Sequence, residues 1–103
     1  MRPIVVVYEP GRTPLHILVG PDPLEIGRDC TGVVLTDSRM SRRHLALRRS
    51  GNDVIAIDLG STNGSRVDDV PFTGPHVLQP GEVIRIGATT ISLWYLPPHD
   101  TTG

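Results

Sequence analysis

Short β-branched runs separated by turn residues are the feature of this sequence that most constrains its fold. Ten Pro and eleven Gly are spread along 103 residues, and no stretch keeps apolar residues at helical spacing over a dozen positions. Any helix would therefore be short. Two runs, 44–48 and 83–86, alternate between apolar and polar residues, as half-buried strands do. The sequence predicts an all-β sandwich of about ten or eleven short strands, mostly antiparallel.

The predicted strands recur at a spacing of about eight to ten residues, with turn residues between them. They are 4–8, 15–19, 24–26, 33–35, a run around 45–47, 54–59, 65–67, 77–78, 83–86 and 89–96. We expect the first and the last strand to pair, which would bring the N- and C-terminal strands together. We also expect residues 1–96 to form one domain. Residues 97–103 are polar and Pro-rich, which predicts a tail or linker.

The arginines are concentrated in one part of the chain. The net charge is only −1, so no overall field attracts the chain to nucleic acid or anionic lipid. All ten basic residues are arginine, and five of them lie in an acid-free window between Asp37 and Asp53. Arginine suits planar, bidentate contacts to oxyanions. The clustering is therefore more informative than the total charge.

One interpretation of this window is a nucleic-acid-binding small β-barrel that uses the stripe Arg39–Arg49. Modules of that kind interleave aromatic residues with the basic ones, so that bases can stack. The aromatic residues here are Tyr8, Phe72, Trp94 and Tyr95, and none is near the arginines in sequence. We keep this interpretation as the alternative and expect no nucleic-acid partner.

Cys30 is the only cysteine, so no internal disulfide can form and the usual metal-binding spacings are excluded. We expect neither a metal nor another cofactor. The apolar run that follows Met1 is too short for a signal peptide or a membrane span. These features predict a reducing, cytoplasmic setting without direct membrane insertion.

Three short motifs lie at the ends of predicted strands: 27–28, 41–44 and 61–64. Each alone is typical of an ordinary turn. Together they supply the guanidinium groups of Arg28 and Arg42, the hydroxyls of Ser41 and Thr62, and the amide of Asn63. Converging donors of this kind, without a carboxylate in the motifs, are what a dianionic phosphate requires.

The nearby acids, Asp29, Asp37 and Asp58, are then expected to point away from the anion or to restrain neighbouring arginines. Arg43, Arg48 and Arg49 are expected to be solvated charges on strand faces.

The order and spacing of five segments resemble the forkhead-associated (FHA) family. They are 24–28, 33–35, 41–44, 58–64 and 78–87. The last is similar to the family's L-x-x-G-D-x-I-x-x-G segment, with Glu82 in place of the commoner Asp. The resemblance runs from about Leu24 to Leu93. It implies a β-sandwich that binds phosphothreonine-containing segments of partner proteins and catalyses no reaction.

The resemblance also implies a role for each matching residue that would contact the ligand. Arg28 would bind the phosphate through its guanidinium, Ser41 would donate its hydroxyl to a phosphate oxygen, and Arg42 would add further donors. Thr62 would shape the wall beside the phosphothreonine methyl. Asn63 would hydrogen-bond the peptide backbone that flanks the phosphothreonine.

Other matching positions would set specificity or backbone geometry. Arg39 lies where the family often reads the third residue after the phosphothreonine. Gly27 and Gly64 would allow a close approach or a positive φ, and His44 would brace the loop that carries Ser41. The implied partner is a phosphothreonine-containing protein, the substrate or the autophosphorylated form of a Ser/Thr kinase.

An enzyme would need a different arrangement of the same residues, with Ser41 as nucleophile and His44 as base. Residues three apart at the entry to a strand point to opposite faces. The chain also lacks the Gly-x-Ser-x-Gly pattern of a nucleophile elbow. We therefore expect no enzymatic activity.

Overall fold

The computed structural model describes residues 2–97, which form eleven strands in two sheets. The strands are β1 (Arg2–Tyr8), β2 (Leu15–Leu18), β3 (Leu24–Gly27), β4 (Val33–Val34), β5 (Leu45–Ser50), β6 (Asp53–Asp58), β7 (Ser65–Val67), β8 (Val70–Phe72), β9 (His76–Leu78), β10 (Val83–Ile86) and β11 (Thr89–Leu96). The all-β sandwich predicted from the turn spacing is confirmed.

One sheet has six strands in the order β2-β1-β11-β10-β7-β8, and the other has five in the order β4-β3-β5-β6-β9. Neighbouring strands are antiparallel except for β3 and β4, which are parallel. The first strand pairs over its whole length with the last, from Arg2 opposite Leu96 to Tyr8 opposite Thr90. The predicted pairing of the terminal strands is therefore confirmed.

The core lies between the two sheets, because alternate residues of each strand point inward. Val5, Val7 and Ile84 contribute to it from the six-stranded sheet, and Ile26 and Leu47 from the five-stranded sheet. Each of these side chains is at most 1% exposed. Full burial of such a side chain stabilises the fold by about 1.5–3 kcal/mol, and the loops are built on this rigid base.

Strand β8 was absent from the sequence-based prediction because Pro71 stands in its centre. Proline cannot donate to a β-ladder, so within sheets it is found on edge strands. Strand β8 is the edge of the six-stranded sheet and pairs only with β7 among the described strands. The run is therefore compatible with a strand despite its proline.

Strand β11 ends at Leu96. Residues 98–103 of the predicted tail lie outside the described residues. The division into a domain over residues 1–96 and a tail over residues 97–103 stays a prediction.

Candidate functional site

The end of β3 packs directly on the loop between β4 and β5, and Gly27 makes this possible. A Cβ atom at Gly27 would lie 2.0 Å from the carbonyl oxygen of Arg42, closer than real contacts allow. The backbone N–H of Arg28 donates to the carbonyl of Ser41 at 3.1 Å, and that of Asp29 to the carbonyl of Arg42 at 3.0 Å. The role expected of Gly27 is thus explained by a close backbone approach.

Arg28 is exposed, but its guanidinium is held at one atom. The Nε–H group donates to the carbonyl oxygen of Met40. Within residues 2–97, no hydrogen bond or ion pair engages its two terminal nitrogens. The side chain is therefore oriented by the protein and leaves its terminal donors free for an anion.

His44 connects two loops from beneath and is completely buried. Its Nδ1 accepts the backbone N–H of Ser41 at 3.0 Å. Its Nε2 lies 2.8 Å from the carbonyl oxygen of Gly64, which can only accept, so Nε2 carries the proton. The β4–β5 loop and the β6–β7 loop are thus joined through one neutral imidazole.

Two further hydrogen bonds join these loops at the surface. The backbone N–H of Thr62 donates to Oγ of Ser41 at 3.0 Å. The Nδ2 of Asn63 donates to the carbonyl oxygen of Arg39 at 2.7 Å. Because Oγ of Ser41 acts as acceptor here, its own hydroxyl proton remains available to a ligand.

Asp58, at the end of β6, shapes the β6–β7 loop. Its carboxylate accepts from the backbone N–H of Ser61 at 2.8 Å, from the hydroxyl of Ser61 at 2.6 Å and from the hydroxyl of Ser65 at 2.5 Å. The side chain of Asp58 is only 4% exposed, and one of its oxygens lies 3.8 Å from Nε2 of His44. Burial acts to raise the pKa of Asp58, but the hydrogen bonds from Ser61 and Ser65 outweigh it, so the pKa lies below its ordinary value.

The structure therefore brings together all the predicted contact residues at one end of the sandwich. Arg28 adjoins the backbone of Ser41, and Ser41 adjoins Thr62, as the hydrogen bonds above establish. The side chains that face solvent there are Arg28, Arg39, Arg42, Thr62 and Asn63, and Ser41 is half-buried. Gly64 has a φ of +82°, as expected of a position that favours glycine.

Comparison with known proteins places this architecture in a family. A family model described as "FHA domain" matches residues 24–87. The chain belongs to the FHA-domain family. It is 39% identical over 90 residues to the FHA domain-containing protein FhaB of Mycolicibacterium smegmatis, covering 86% of this chain and 58% of FhaB. This chain thus spans little more than half the length of that relative.

Solved structures agree with the assignment. One solved structure is described as a structural and functional analysis of phosphothreonine-dependent FHA domain interactions. The present chain is 29% identical to it, with a TM-score of 0.79, and the match covers 95% of this chain and 100% of that one. It is 30% identical, with a TM-score of 0.74, to the FhaA FHA domain complexed with the intracellular domain of Rv3910, covering 89% and 99% of the two chains.

Asp37 has a role in this FHA domain that sequence reasoning missed. Its carboxylate accepts from the backbone N–H groups of Arg39 at 3.0 Å and Ala88 at 2.8 Å, and from the hydroxyl of Thr89 at 3.0 Å. Burial acts to raise the pKa of Asp37, but these bonds outweigh it and hold the pKa below its ordinary value. The bond to Arg39 forms an Asx turn, which is a local pattern that can be recognised in the sequence. The bonds to Ala88 and Thr89 join residues that are far apart in the chain, so the sequence alone did not predict them.

Arg43 differs in part from the expectation of a solvated charge. Its side chain is 63% exposed, but Nη2 lies 2.5 Å from the carboxylate of Glu25 on the neighbouring strand β3. Hydrogen bonding to Arg43 keeps the pKa of Glu25 below its ordinary value. Arg43 therefore follows Ser41 in the β4–β5 loop, but its guanidinium is engaged by the carboxylate of Glu25 on β3.

Proposed function

We propose that this FHA domain binds phosphothreonine-containing segments of partner proteins and catalyses no reaction. The observation that carries the proposal is a set of unpaired donors on loops that hydrogen bonds hold together. The terminal guanidinium nitrogens of Arg28 and the hydroxyl proton of Ser41 are left without partners among the described residues, although both side chains are anchored at another atom. Donors that are already oriented lose little entropy when a ligand binds.

The chemistry of these donors matches a phosphate monoester. Its second pKa is about 6, so it carries close to two negative charges at neutral pH and offers three acceptor oxygens. Arg28 and Arg42 supply guanidinium groups, the side-chain type that donates several hydrogen bonds to an oxyanion. Each charge-assisted hydrogen bond to the phosphate contributes about 1.5–3 kcal/mol. Thr62 would then line the threonine methyl, and Asn63 would bind the flanking backbone.

The hydrogen bonds of His44 support a binding role over a catalytic one. A general base must reach the proton that it removes. Here Nδ1 of His44 already accepts the backbone N–H of Ser41, and Nε2 already donates to Gly64. Oγ of Ser41 is bonded to Thr62 instead. These contacts explain His44 as a brace for the binding loops.

The positions of the arginines favour a peptide over nucleic acid. Arg43 is paired with Glu25, and Arg48 and Arg49 lie in the second half of β5, away from the loops. Successive residues of a strand point to opposite faces, so Arg48 and Arg49 cannot extend one continuous basic surface.

No helix within residues 2–97 is long and apolar enough to cross a membrane.

We further propose that the partner is the substrate or the autophosphorylated form of a Ser/Thr kinase, and that binding takes place in the cytoplasm. The solved relatives include domains described by phosphothreonine-dependent interactions and by a complex with an intracellular domain, which supports this class of partner. The free thiol of Cys30 is compatible with a reducing compartment.

Calorimetric titration at physiological salt tests the proposal. We expect micromolar binding of a phosphothreonine peptide, and no binding of the same peptide without phosphate or of a single-stranded oligonucleotide. Equal binding of the two peptides would overturn phosphate recognition. Micromolar binding of the oligonucleotide alone would establish the nucleic-acid alternative.

A further inference from the structure

Two arginines face each other across neighbouring strands close to the proposed site. Arg66 of β7 lies directly opposite Arg85 of β10 in the register of the six-stranded sheet. Both side chains are exposed, whereas the residues before and after each of them in the strand are buried. Like charges directly opposite each other destabilise a sheet. The pair therefore costs stability unless something neutralises it.

Nearby carboxylates do not neutralise this pair. Within residues 2–97, neither Arg66 nor Arg85 lies within 4.0 Å of a carboxylate, and the same holds for Arg39. Nη1 of Arg66 donates to the backbone carbonyl of Asp69 at 3.3 Å. The carboxylate of Asp68 instead accepts the backbone N–H of Val83.

Asp37 is the acid beside Gly87, at the edge of the same surface. Its two oxygens already accept from three donors on the β4–β5 loop and the β10–β11 turn. Because Asp37 already accepts these three hydrogen bonds, we expect the guanidinium groups of Arg66 and Arg85 to be free to bind an anion from outside the domain.

The arginine pair shares a small cleft with residues of the proposed phosphothreonine site. The cleft has a volume of about 130 Å³ and is lined by Arg39, Asn63, Gly64, Arg66, Arg85 and Gly87. Three of its lining residues are arginines and none is acidic. Clefts for drug-sized ligands measure about 300–1,000 Å³, so this one is suited to a single charged side chain. We refer to it as the basic cleft.

We propose that the basic cleft is a second anion subsite, in which Arg66 and Arg85 bind an acidic or phosphorylated side chain of the peptide whose phosphothreonine occupies the first site. This inference rests on the proposed function. Arg66 is three residues after Asn63, so the two lie within about 10 Å along the chain. An extended peptide covers that distance in about three residues.

The basic cleft also defines the side of the peptide on which this anion lies. Arg39 lines it and is the residue proposed to face the third position after the phosphothreonine. Arg66 and Arg85 extend the same surface onto the outer face of the sheet. We therefore place the anionic side chain three to five residues after the phosphothreonine.

Matched phosphothreonine peptides test the subsite. One is neutral around the phosphothreonine, one carries Glu at the third to fifth following positions, one carries phosphoserine at the fourth, and one carries Glu at the equivalent preceding positions. We expect the following Glu residues or phosphoserine to tighten binding by about 3- to 20-fold over the neutral peptide. The gain should shrink as salt is raised.

The variants are Arg66→Gln, Arg85→Gln and the double variant, with Arg48→Gln on the other sheet as matched control. The double variant should lose the gain and keep the affinity for the neutral peptide, with a melting temperature equal to or above that of the wild type. Arg48→Gln should keep the gain. A larger gain with phosphoserine than with Glu would identify a second phosphate as the preferred anion, and equal gains would identify a carboxylate as sufficient.

Three outcomes would overturn the subsite. They are a gain that survives in the double variant, a gain only from preceding Glu residues, and oligonucleotide binding that the double variant abolishes. The neutral peptide keeps the two proposals apart. If it fails to bind the wild type, the proposed function fails. If it binds and acidic residues add nothing, only the subsite fails.

Discussion

Ser41 donates its backbone N–H to Nδ1 of His44 at 3.0 Å, while its hydroxyl oxygen accepts from Thr62 at 3.0 Å. One residue is thus held by its backbone from below and by its side chain from the neighbouring loop. What remains free is a single hydroxyl proton at the surface. His44 therefore fixes the position of Ser41, and the hydroxyl of Ser41 is the group that we propose to contact the phosphate.

This division of roles predicts that His44 and Ser41 fail differently. His44→Ala leaves the N–H of Ser41 and the carbonyl of Gly64 unpaired beside a cavity, so we expect the free energy of unfolding to fall by about 1–3 kcal/mol. Ser41→Ala should weaken phosphopeptide binding but shift the melting temperature by only a few degrees. Thermal melts and calorimetry on the two variants measure this. An unchanged melt for His44→Ala with binding abolished would make His44 a direct ligand.

Arg28 should contribute to affinity but little to stability. Arg28→Ala would remove the charge-assisted bonds that we propose to the phosphate, so we expect binding to weaken by roughly 10- to 150-fold. Arg28→Lys should also be impaired, because an ammonium group cannot donate bidentately and has no Nε–H group for the carbonyl of Met40. Calorimetry with the exposed Arg48→Ala as control measures both. Wild-type affinity in Arg28→Ala would contradict the assignment.

Gly87 and Gly51 form a matched pair for the contact with Asp37. Both have a positive φ, +60° and +63°, so alanine adds similar backbone strain of about 1–2 kcal/mol at each. A Cβ at Gly87 would lie 2.7 Å from the carboxylate of Asp37, whereas one at Gly51 meets nothing within 4 Å. Gly87→Ala should therefore cost roughly 1–3 kcal/mol more than Gly51→Ala. Equal costs in denaturant unfolding would show that Asp37 moves aside freely.

Acid should weaken the fold through Asp58. Because the pKa of Asp58 is lowered in the folded protein from its ordinary 3.8, the carboxylate contributes stability above pH 3.8 that is lost as pH falls through the lower folded value. Unfolding free energy should thus fall more steeply below about pH 4 in the wild type than in Asp58→Asn. Asp29→Asn, at an exposed position, is the control. Identical acid profiles for the wild type and Asp58→Asn would contradict this role of the carboxylate.

The sequence predicted local features of this domain better than non-local ones. Turn spacing gave the sandwich, and the motifs around Arg28 and Ser41 gave the loops that meet. The edge strand β8 was missed because a proline in the centre of a run, here Pro71, argues against a strand. Arg66 and Arg85 are 19 positions apart, and only the strand register makes them neighbours. The contact of Asp37 with the β10–β11 turn likewise depends on packing that no local pattern encodes.

Preference for phosphothreonine over phosphoserine should depend on the side chain of Thr62. The two ligands differ by one methyl, whose full burial is worth about 0.8 kcal/mol, or about fourfold in affinity. The β-branched ligand also loses less rotamer freedom, and serine would leave a void in a close-fitting wall. We therefore expect discrimination of about tenfold or more.

The contact between Thr62 and Ser41 uses the backbone N–H of Thr62, so it survives a change of side chain. Thr62→Ala should consequently lower affinity for phosphothreonine toward that for phosphoserine and leave phosphoserine binding nearly unchanged. Thr62→Val keeps the branched shape and should retain most of the discrimination. Matched peptides titrated into the wild type and both variants measure this. Equal wild-type affinities for the two peptides would reduce the site to a generic arginine-lined anion site, because a wall that contacts the methyl must distinguish them.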